Sequence, residues 1–393
     1  MGSRVETTFS DSSGYTPSAE KIAELKQKLR VGHAQSLPGA SWVDLGPQPA
    51  NPRNAVSTET HPVLQLSLQD LREIEEAYSV FELSGLPLNK LQAENFPLPT
   101  LSGRISKQRA LLPSTQPYFI IRGLKPQWFD KRKNVVIFTG IASHVGTKRA
   151  LAPGDPNVLH HVTEMTSCAN ATESYRGPAN RSIALPFHTD YGSILSFYLL
   201  SKAAFGGDIY LADVHDIARE IVSSRPDILA TLRKPFLNIN AKEDGAYDER
   251  PLLFTLPSGR MAVQASRSRL FGTADRPRPA SLPPLTPKQS EAVDALHAAG
   301  QTVAKRIDMR AGDMLFFSNL QMMHSRDAFV DGNEEENTTR RYLLRLILHD
   351  DRADAPWEIP PQLRGTWAEL YDHLDEEEKF AVHPELFSYK AAH

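Results

Sequence analysis

The sequence predicts a mainly β fold, a sandwich or a barrel, with α-helices as an outer cover (class α+β). Ten short apolar runs follow one another from residue 158 to residue 348, and Gly, Pro, Asn and Asp separate them. Such a series of short strands divided by turn residues is typical of antiparallel β architectures. Helical patterns precede the series and interrupt it twice. Hydrophobic residues make up 40% of the 393 residues, which is enough for a sizeable core.

The charge balance and the cysteine content argue against several classes of protein. Lys and Arg number 44 and Asp and Glu number 47, so the net charge of −3 does not favour a nucleic-acid or a membrane partner. The single cysteine, Cys168, cannot form an internal disulfide, which fits a reducing compartment. The N-terminus lacks the apolar segment of a signal peptide, and no run approaches the roughly 20 residues that span a bilayer. We therefore expect a cytoplasmic enzyme, whose oligomeric state the sequence leaves open.

The N-terminal part of the chain is predicted to be helical outside the β region. Residues 1–60 are polar and form an extension with one short helix, KIAELKQKLR, before Gly32. Residues 61–393 are predicted to form a single domain. Its first helix lies between the capping residue Ser67 and Gly85. The apolar side chains of this helix fall on one face: Leu68, Leu71, Ile74, Tyr78 and Phe81.

The core of the domain is predicted over about 115–350. YFIIRG is a strand that ends at Gly123, and the stretch 127–145 is predicted to be helical. The apolar runs then supply strands, with helices predicted at DVHDIAREIVSSRPDILATL and TPKQSEAVDALHAAGQTV. The segment WAELYDHLDEEEKF near the C-terminus is predicted to be a solvated acidic helix.

Residues able to bind a metal occur in an order that suits one site. Both side chains of an H-x-D pair on a strand point to the same face, because strand side chains alternate with period two. The sequence contains four His-x-Asp/Glu pairs, and His188–Asp190 is the one within an apolar-flanked segment, IALPFHTDYG. His324 follows 134 residues after Asp190, behind the hydrophobic run MLFF. These three residues are therefore the candidate ligand set.

Two histidines and one carboxylate on one face form the facial triad of non-haem Fe(II) oxygenases. Three positions around the metal then stay open, two for a 2-oxo acid and one for O2. An arginine is also needed, because its fork matches the far carboxylate of the co-substrate. The segment TRRYLLRLIL after the third ligand supplies Arg340, Arg341 and Arg345. Arg341 and Arg345 share a face of the predicted strand, and Arg340 points the other way.

The sequence resembles the taurine dioxygenase/clavaminate synthase-like (TauD/TfdA) family of Fe(II)/2-oxoglutarate-dependent dioxygenases, especially its fungal members. The resemblance covers about residues 115–360, and it implies a double-stranded β-helix, or jelly roll, with helices packed outside. Its anchors are FHTD at 187–190, FGGDIYLAD at 205–213, SRSRLFG at 266–272, GDMLFFSNLQMMHSRDAF at 312–329 and RRYLLRLIL at 340–348.

The resemblance assigns roles to individual positions. It implies that His188, Asp190 and His324 bind Fe(II) and are the catalytic centre. It implies that Arg341 binds the 5-carboxylate of 2-oxoglutarate, with Arg345 at a second basic position that faces the pocket.

Two features depart from the family pattern. Ile209 stands where relatives often carry a Thr that hydrogen-bonds 2-oxoglutarate. The acidic insertion DGNEEENTT at 331–339 lies between the third ligand and the arginine strand. Arg340 therefore stays an alternative to Arg341.

The implied reaction uses 2-oxoglutarate and O2, releases succinate and CO2, and oxidises an unactivated C–H bond of a small molecule. Hydroxylation is expected, with desaturation or ring closure as alternatives. A surplus of arginines at the predicted pocket, namely Arg345, Arg267 and Arg269, favours a carboxylate-bearing substrate, because a buried guanidinium without an anionic partner is costly. An amino acid or a secondary-metabolite precursor fits this description.

Three other interpretations are open at this point. One is a cupin-like metal-dependent hydrolase or isomerase, and another is a non-catalytic jelly-roll binding protein. The third concerns the metal site alone: His160 and His161 with Glu164 form a rival cluster. Adjacent strand residues point to opposite faces, which disfavours this cluster.

Overall fold

The computed structural model describes residues 17–32, 61–151, 157–165, 178–239, 247–273, 277–332, 340–354 and 356–382. Cys168 and residues 333–339 of the acidic insertion lie outside these ranges. No helix in the described part of the chain is both long and apolar enough to cross a membrane.

The strands are short, as the spacing of turn residues predicts. In chain order they are β1 (Val63–Gln65), β2 (Tyr118–Arg122), β3 (Lys148–Arg149), β4 (His160–Thr163), β5 (Leu185–His188), β6 (Ile194–Ser201), β7 (Phe205–Gly206), β8 (Ile209–Asp213), β9 (Phe236–Ile239), β10 (Tyr247–Arg250), β11 (Leu253–Thr255), β12 (Met261–Val263), β13 (Lys305–Ile307), β14 (Met314–Ser318), β15 (Met322–Arg326), β16 (Phe329–Val330) and β17 (Tyr342–His349).

Two sheets face each other at the centre of the fold. The larger sheet has the order β1-β2-β14-β6-β17-β3, with β4 also paired to β17, and its strands are antiparallel except for the parallel pair β1 and β2. The smaller sheet has the antiparallel order β13-β8-β15-β5. Apolar side chains from both sheets pack between them, among them Leu195, Phe197 and Phe317 against Leu211 and Ile307. This sandwich confirms the predicted jelly-roll core.

The helices cover the outer faces of both sheets. They are α1 (Ala19–Gly32), α2 (Leu68–Ser84), α3 (Leu101–Arg109), α4 (Lys131–Ser143), α5 (Val214–Val222), α6 (Pro226–Leu232), α7 (Arg267–Phe271), α8 (Pro287–Val303) and α9 (Arg364–Tyr371). Helices α2, α3 and α4 pack on the larger sheet, where Phe81 and Phe138 lie in one cluster with Phe119. Helices α1, α5, α6 and α8 pack on the smaller sheet. The predicted α+β class is therefore confirmed.

Most of the predicted helices are present, and local sequence explains where they end. The Ser67 side chain accepts the backbone N–H of Asp70 at the start of α2, and Gly85 ends the helix at φ +66°. The stretch predicted as one helix after Asp213 forms two, α5 and α6, because Pro226 begins a new helix. Helix α1 buries Leu25 and Leu29, so it belongs to the cover of the smaller sheet.

The prediction of one solvated acidic helix near the C-terminus is wrong. Helix α9 ends at Tyr371, before the acidic residues, which enter a short 3-10 turn at Asp375–Glu377. Trp367, Leu370 and Tyr371 are buried against the sandwich. Helix α3 and strand β15 were not predicted either.

Candidate active site

Two neighbouring strands of the smaller sheet bring the predicted metal ligands together. His188 is the last residue of β5 and lies directly opposite His324 in the antiparallel register with β15. Asp190 follows two residues after His188, in the loop that leads to β6. One ligand atom from each residue lies within 4.8 Å of the others. Asp190 and His324 are buried, and His188 is half-buried. Asp190 and His324, which are 134 residues apart in the sequence, are thus brought close together by the pairing of β5 with β15.

The donor set of this cluster suits Fe(II). His188 Nδ1 donates to the carbonyl oxygen of Pro186 at 2.8 Å, which leaves the Nε2 lone pair available to a metal. Burial lowers the pKa of His188, so its imidazole is neutral at neutral pH. Two imidazoles and one carboxylate are the ligands of the facial triad. The residues present therefore fit the implied iron.

Arg345 contacts the triad directly. Its Nη1 donates to Asp190 Oδ2 at 2.8 Å, and both side chains are almost fully buried. This ion pair balances the buried carboxylate and fixes one of its oxygens. The structure therefore places Arg345 beside Asp190, a candidate iron ligand, and gives the arginine a protein carboxylate as partner.

Arg341 lines a pocket that two of the candidate ligands also line. Both His188 and His324 line this pocket together with Arg341 and Arg345. Arg341 Nε donates to the carbonyl oxygen of Gly207 at 3.3 Å, and its buried Nη1 has no hydrogen-bond partner among the described residues. Such a guanidinium fits a carboxylate that enters the pocket. The residues present therefore also fit the implied 2-oxoglutarate.

The position of Gly207 explains why a glycine occurs there in the segment FGG. Gly207 adopts φ +73°, and a Cβ at this position would lie 2.8 Å from the Cδ and Nε atoms of Arg341. The glycine therefore leaves room for the arginine and supplies its carbonyl acceptor. The close approach of Gly207 to Arg341 was not predicted from the sequence.

Arg340 has a different environment. Its side chain is 43% exposed, and it donates to the carbonyl oxygen of Glu164. Asp331 Oδ2 lies 4.0 Å from its Nε. Arg340 does not line the pocket that holds the triad. These contacts favour Arg341 over Arg340 as the arginine that faces the co-substrate.

The pocket is apolar where relatives often have a threonine. Ile209 lines it with a buried side chain. The hydroxyl groups on its lining belong to Ser266, Ser268 and Ser325. Arg326 also lines the pocket, but it donates to the carbonyl oxygens of Ala179, Arg181 and Ile183 and so holds the segment before β5.

Arg267 and Arg269, which the sequence suggested as substrate-binding residues, lie in a short helix. Both residues belong to α7 and are buried. Arg267 Nη1 donates to Asp294 on α8 at 2.7 Å. This partner removes the reason to assign Arg267 to a substrate.

Arg269 has different partners. Its guanidinium lies 4.0 Å above the ring of Tyr191, the residue that follows the ligand Asp190. Nη1 donates to the carbonyl oxygen of Ile239 at 3.3 Å, and Nη2 has no hydrogen-bond partner among the described residues. Burial lowers the pKa of Arg269. No carboxylate of the described chain lies within ion-pair distance of it.

The rival metal cluster is not assembled. Both nitrogens of His161 are engaged, with the Tyr342 hydroxyl and with the carbonyl oxygen of Ala381. Among the described residues, His188, Asp190 and His324 form the only group of three or more such side chains close enough to share a metal ion. Sequence reasoning missed Asn319 and Tyr371, both of which contact the loop that carries Asp190.

Comparisons with known proteins identify the family. A family model described as "Taurine catabolism dioxygenase TauD, TfdA family" matches residues 82–347. The taurine hydroxylase-like protein SAT17 of Stachybotrys chartarum is 33% identical over 331 residues, which are 83% of this chain and 85% of that protein.

Solved structures share the fold at low sequence identity. Asparagine oxygenase in complex with Fe(II), 2S,3S-3-hydroxyasparagine and succinate has a TM-score of 0.55 at 15% identity, over 75% of this chain and 98% of the other. The non-haem iron oxygenase OrfP in complex with Fe and alpha-ketoglutaric acid has a TM-score of 0.52 at 17% identity, over 76% and 99%.

The family match spans most of the chain and includes all three candidate ligands, Arg341 and Arg345. Neither the cupin-like hydrolase or isomerase nor the non-catalytic binding protein finds support in these comparisons. The chain therefore belongs to the TauD/TfdA family of Fe(II)- and 2-oxoglutarate-dependent dioxygenases, as its sequence predicts.

Proposed function

We propose that Arg341 binds the 5-carboxylate of 2-oxoglutarate beside Fe(II) held by His188, Asp190 and His324. The observation that carries this assignment is the buried Nη1 of Arg341, which has no hydrogen-bond partner among the described residues and belongs to a pocket lined by two ligands. A carboxylate accepts two parallel N–H bonds from one guanidinium, so it satisfies this atom.

The reaction follows from the bound groups. When bound, iron supplies the redox chemistry by which 2-oxoglutarate and O2 give succinate, CO2 and one oxygen atom for the substrate. A substrate C–H bond thereby becomes C–OH. Arg345 holds one oxygen of Asp190, and the apolar wall around Ile209 and Phe197 limits water in the pocket. Hydroxylation is therefore the proposed outcome.

The substrate is proposed to be a small molecule with a carboxylate, an amino acid or a close derivative, with Arg269 as its anchor. Of the three surplus arginines, Arg267 and Arg345 have protein carboxylates as partners, whereas Arg269 has none within ion-pair distance in the described chain. The Tyr191 ring covers one face of the Arg269 guanidinium, so an anion approaches in the plane of the fork. Tyr191 follows Asp190 in sequence, and the charge of Asp190 acts on Arg269, although Arg269 itself is not among the residues that line the pocket with His188 and His324.

A binding measurement tests the co-substrate. Anaerobic addition of Fe(II) and 2-oxoglutarate is expected to give the weak visible charge-transfer band of the chelate. A metal-dependent hydrolase or a silent binding protein would not give this band. Its absence with wild-type protein would contradict the proposed use of the pocket.

A substrate screen tests the anchor. Succinate formation is measured with free amino acids and related acids, each paired with its methyl ester. We expect a preference for the acid that Arg269→Met abolishes. The matched control combines Arg267→Met with Asp294→Leu, which removes a buried ion pair of the same helix and is expected to keep the preference. Equal rates with acid and ester in the wild type, or turnover of proteins or lipids alone, would exclude a carboxylate anchor.

Location in the cytoplasm stays a prediction from the sequence.

A further inference from the structure

One buried amide holds the loop that carries Asp190. Asn319, in the turn between β14 and β15, is 0% exposed. Its Nδ2 lies 2.6, 3.1 and 3.0 Å from the carbonyl oxygens of Asp190, Tyr191 and Gly192, to which it donates. Its Oδ1 accepts the backbone N–H of Asp190 at 3.2 Å. Asn319 therefore fixes the peptide groups on both sides of the Asp190 Cα.

The same loop is also closed from its other side. Gly192 adopts φ +90°, and a Cβ there would lie 2.3 Å from Ile347 Cγ2 and 2.4 Å from the Tyr371 hydroxyl oxygen. The Tyr371 hydroxyl accepts the backbone N–H of Ser193 at 3.3 Å and donates to the carbonyl oxygen of Leu348 at 3.0 Å. Burial raises the pKa of Tyr371, so its hydroxyl stays protonated. The loop thus has contacts with Asn319, Ile347 and Tyr371 that restrict the backbone next to Asp190.

We propose that Asn319 is a positioning residue of the iron site, and that it sets the place of the Asp190 carboxylate relative to the two histidines. The histidines sit in paired strands, whereas Asp190 lies beyond the end of β5 and receives no strand pairing of its own. Its position therefore depends on side chains that hold the loop. Groups that orient a ligand typically change metal affinity about 10- to 100-fold when removed. The proposal rests on the triad as the metal site.

The chain contains a matched control for this amide. Asn134 on α4 is buried, and its Nδ2 donates to the carbonyl oxygens of Pro126, Phe129 and Asp130 at 3.0, 3.2 and 3.1 Å. Its Oδ1 accepts the Tyr198 hydroxyl at 2.9 Å. Like Asn319, Asn134 thus donates to three backbone carbonyl oxygens and accepts one hydrogen bond, and it does not line the pocket. A change there reports the cost of losing such an amide without a metal ligand nearby.

The test measures binding of Co(II) alone by its visible absorption, with the full chain. Asn319→Asp keeps the size and the acceptor oxygen and removes the NH2 donor, and Asn319→Ala removes both. Both variants are expected to bind Co(II) about 10- to 100-fold more weakly than the wild type. Asn134→Asp is expected to lower the Tm and to keep the Co(II) affinity.

The outcomes separate the inference from the metal assignment. If folded Asn319→Asp bound Co(II) as tightly as the wild type, Asn319 would not be a positioning residue. If neither Asn319 variant folded, Tyr371→Phe would decide: affinity about threefold or more below the wild type supports control of the ligand through this loop, and unchanged affinity overturns it. If the wild type and His188→Ala bound Co(II) equally, the metal assignment itself would fail.

Discussion

Replacement of Arg341 by methionine is expected to weaken 2-oxoglutarate binding roughly 30- to 1,000-fold. The Arg341 side chain is buried, and burial lowers its pKa to about 10, so the guanidinium is still charged at neutral pH. Its Nε donates to the carbonyl oxygen of Gly207 at 3.3 Å, and its Nη1 is left for a ligand. Loss of a charge-assisted bidentate contact from such a site costs about 2–4 kcal/mol. This free energy corresponds to a loss of affinity of roughly 30- to 1,000-fold.

Arg341→Met is also expected to change the stability of the folded chain. This change shows whether the weaker binding comes from the lost contact with 2-oxoglutarate. A buried charge whose donors are not all satisfied destabilises the folded chain, so Arg341→Met is expected to be at least as stable as the wild type without co-substrate. Saturating 2-oxoglutarate at about 100 times Kd stabilises the wild type by about 2.7 kcal/mol, and the variant gains little at the same concentration. Thermal unfolding with and without 2-oxoglutarate, in the presence of Co(II), measures both effects.

Two further variants decide whether geometry or charge matters. Arg341→Lys keeps the charge but lacks the fork, so it is expected to bind 2-oxoglutarate more weakly than the wild type. Arg340→Met changes the exposed neighbour and is expected to keep the affinity within about fivefold, because a surface contact contributes about 0–1 kcal/mol. A larger loss in Arg340→Met than in Arg341→Met would refute the choice of arginine.

The remaining predictions concern the metal ligands and the acid stability. Alanine at His188, Asp190 or His324 is expected to abolish turnover while the far-UV circular dichroism spectrum stays unchanged, and full activity in all three variants would contradict the triad. His297 is buried on α8 and its Nδ1 accepts the Phe187 N–H at 3.0 Å. Burial lowers the pKa of His297 from 6.5 to about 3, so the unfolded chain binds the proton that the folded chain rejects. Its contribution to stability is complete above pH 6.5 and is lost as the pH falls toward 3, by about 2 kcal/mol at pH 5. His297→Asn is expected to reduce this loss in urea unfolding at pH 7 and pH 5, and an unchanged loss would show that another group is responsible.

The predicted metal site depended on the order of the segments and on the period of a strand. The order is found in the structure, whereas Asp190 lies in the loop beyond the strand that ends at His188. His188 and Asp190 are two residues apart at a strand end, and His324 pairs with His188 in the next strand. The alternation of strand side chains with a period of two involves neighbouring residues only, so it can be recognised in the sequence. The pairing of β5 with β15 is not local, and the family-like order of segments was needed to expect it. The ligand atoms of His188, Asp190 and His324 lie within 4.8 Å of one another because the fold brings them together.

The segment around Arg267 and Arg269 shows where local patterns mislead. In SRSRLFG, charged residues alternate with serines, which imitates the period of a strand. The segment forms the five-residue helix α7 instead. Arg267 is held by Asp294 on α8, and Arg269 is covered by Tyr191. A helix this short has little propensity of its own, so these long-range contacts decide its form.

The C-terminal helix contained a signal that went unused. Trp367, Leu370 and Tyr371 are spaced as i, i+3 and i+4, the pattern of one buried helix face. The acidic residues that follow suggested a solvated helix, yet the buried face comes before them. With this face assigned to the core, Tyr371 becomes a candidate to contact the sandwich. Its contact with the Asp190 loop could not be predicted, because Ser193 lies 178 residues away.

Arg341 and Arg345 show that two residues on the same face of a strand can have different contacts. Their spacing of four places both on one face, and both do line the pocket. Asp190 lies against Arg345 and takes one of its donors, whereas the carbonyl oxygen of Gly207 lies against Arg341 and leaves Nη1 for a ligand. Two arginines of equal burial thus differ because different loops cover them. The period of the strand selects the residues that line the pocket, and the loops from distant parts of the chain decide which protein group each of them contacts.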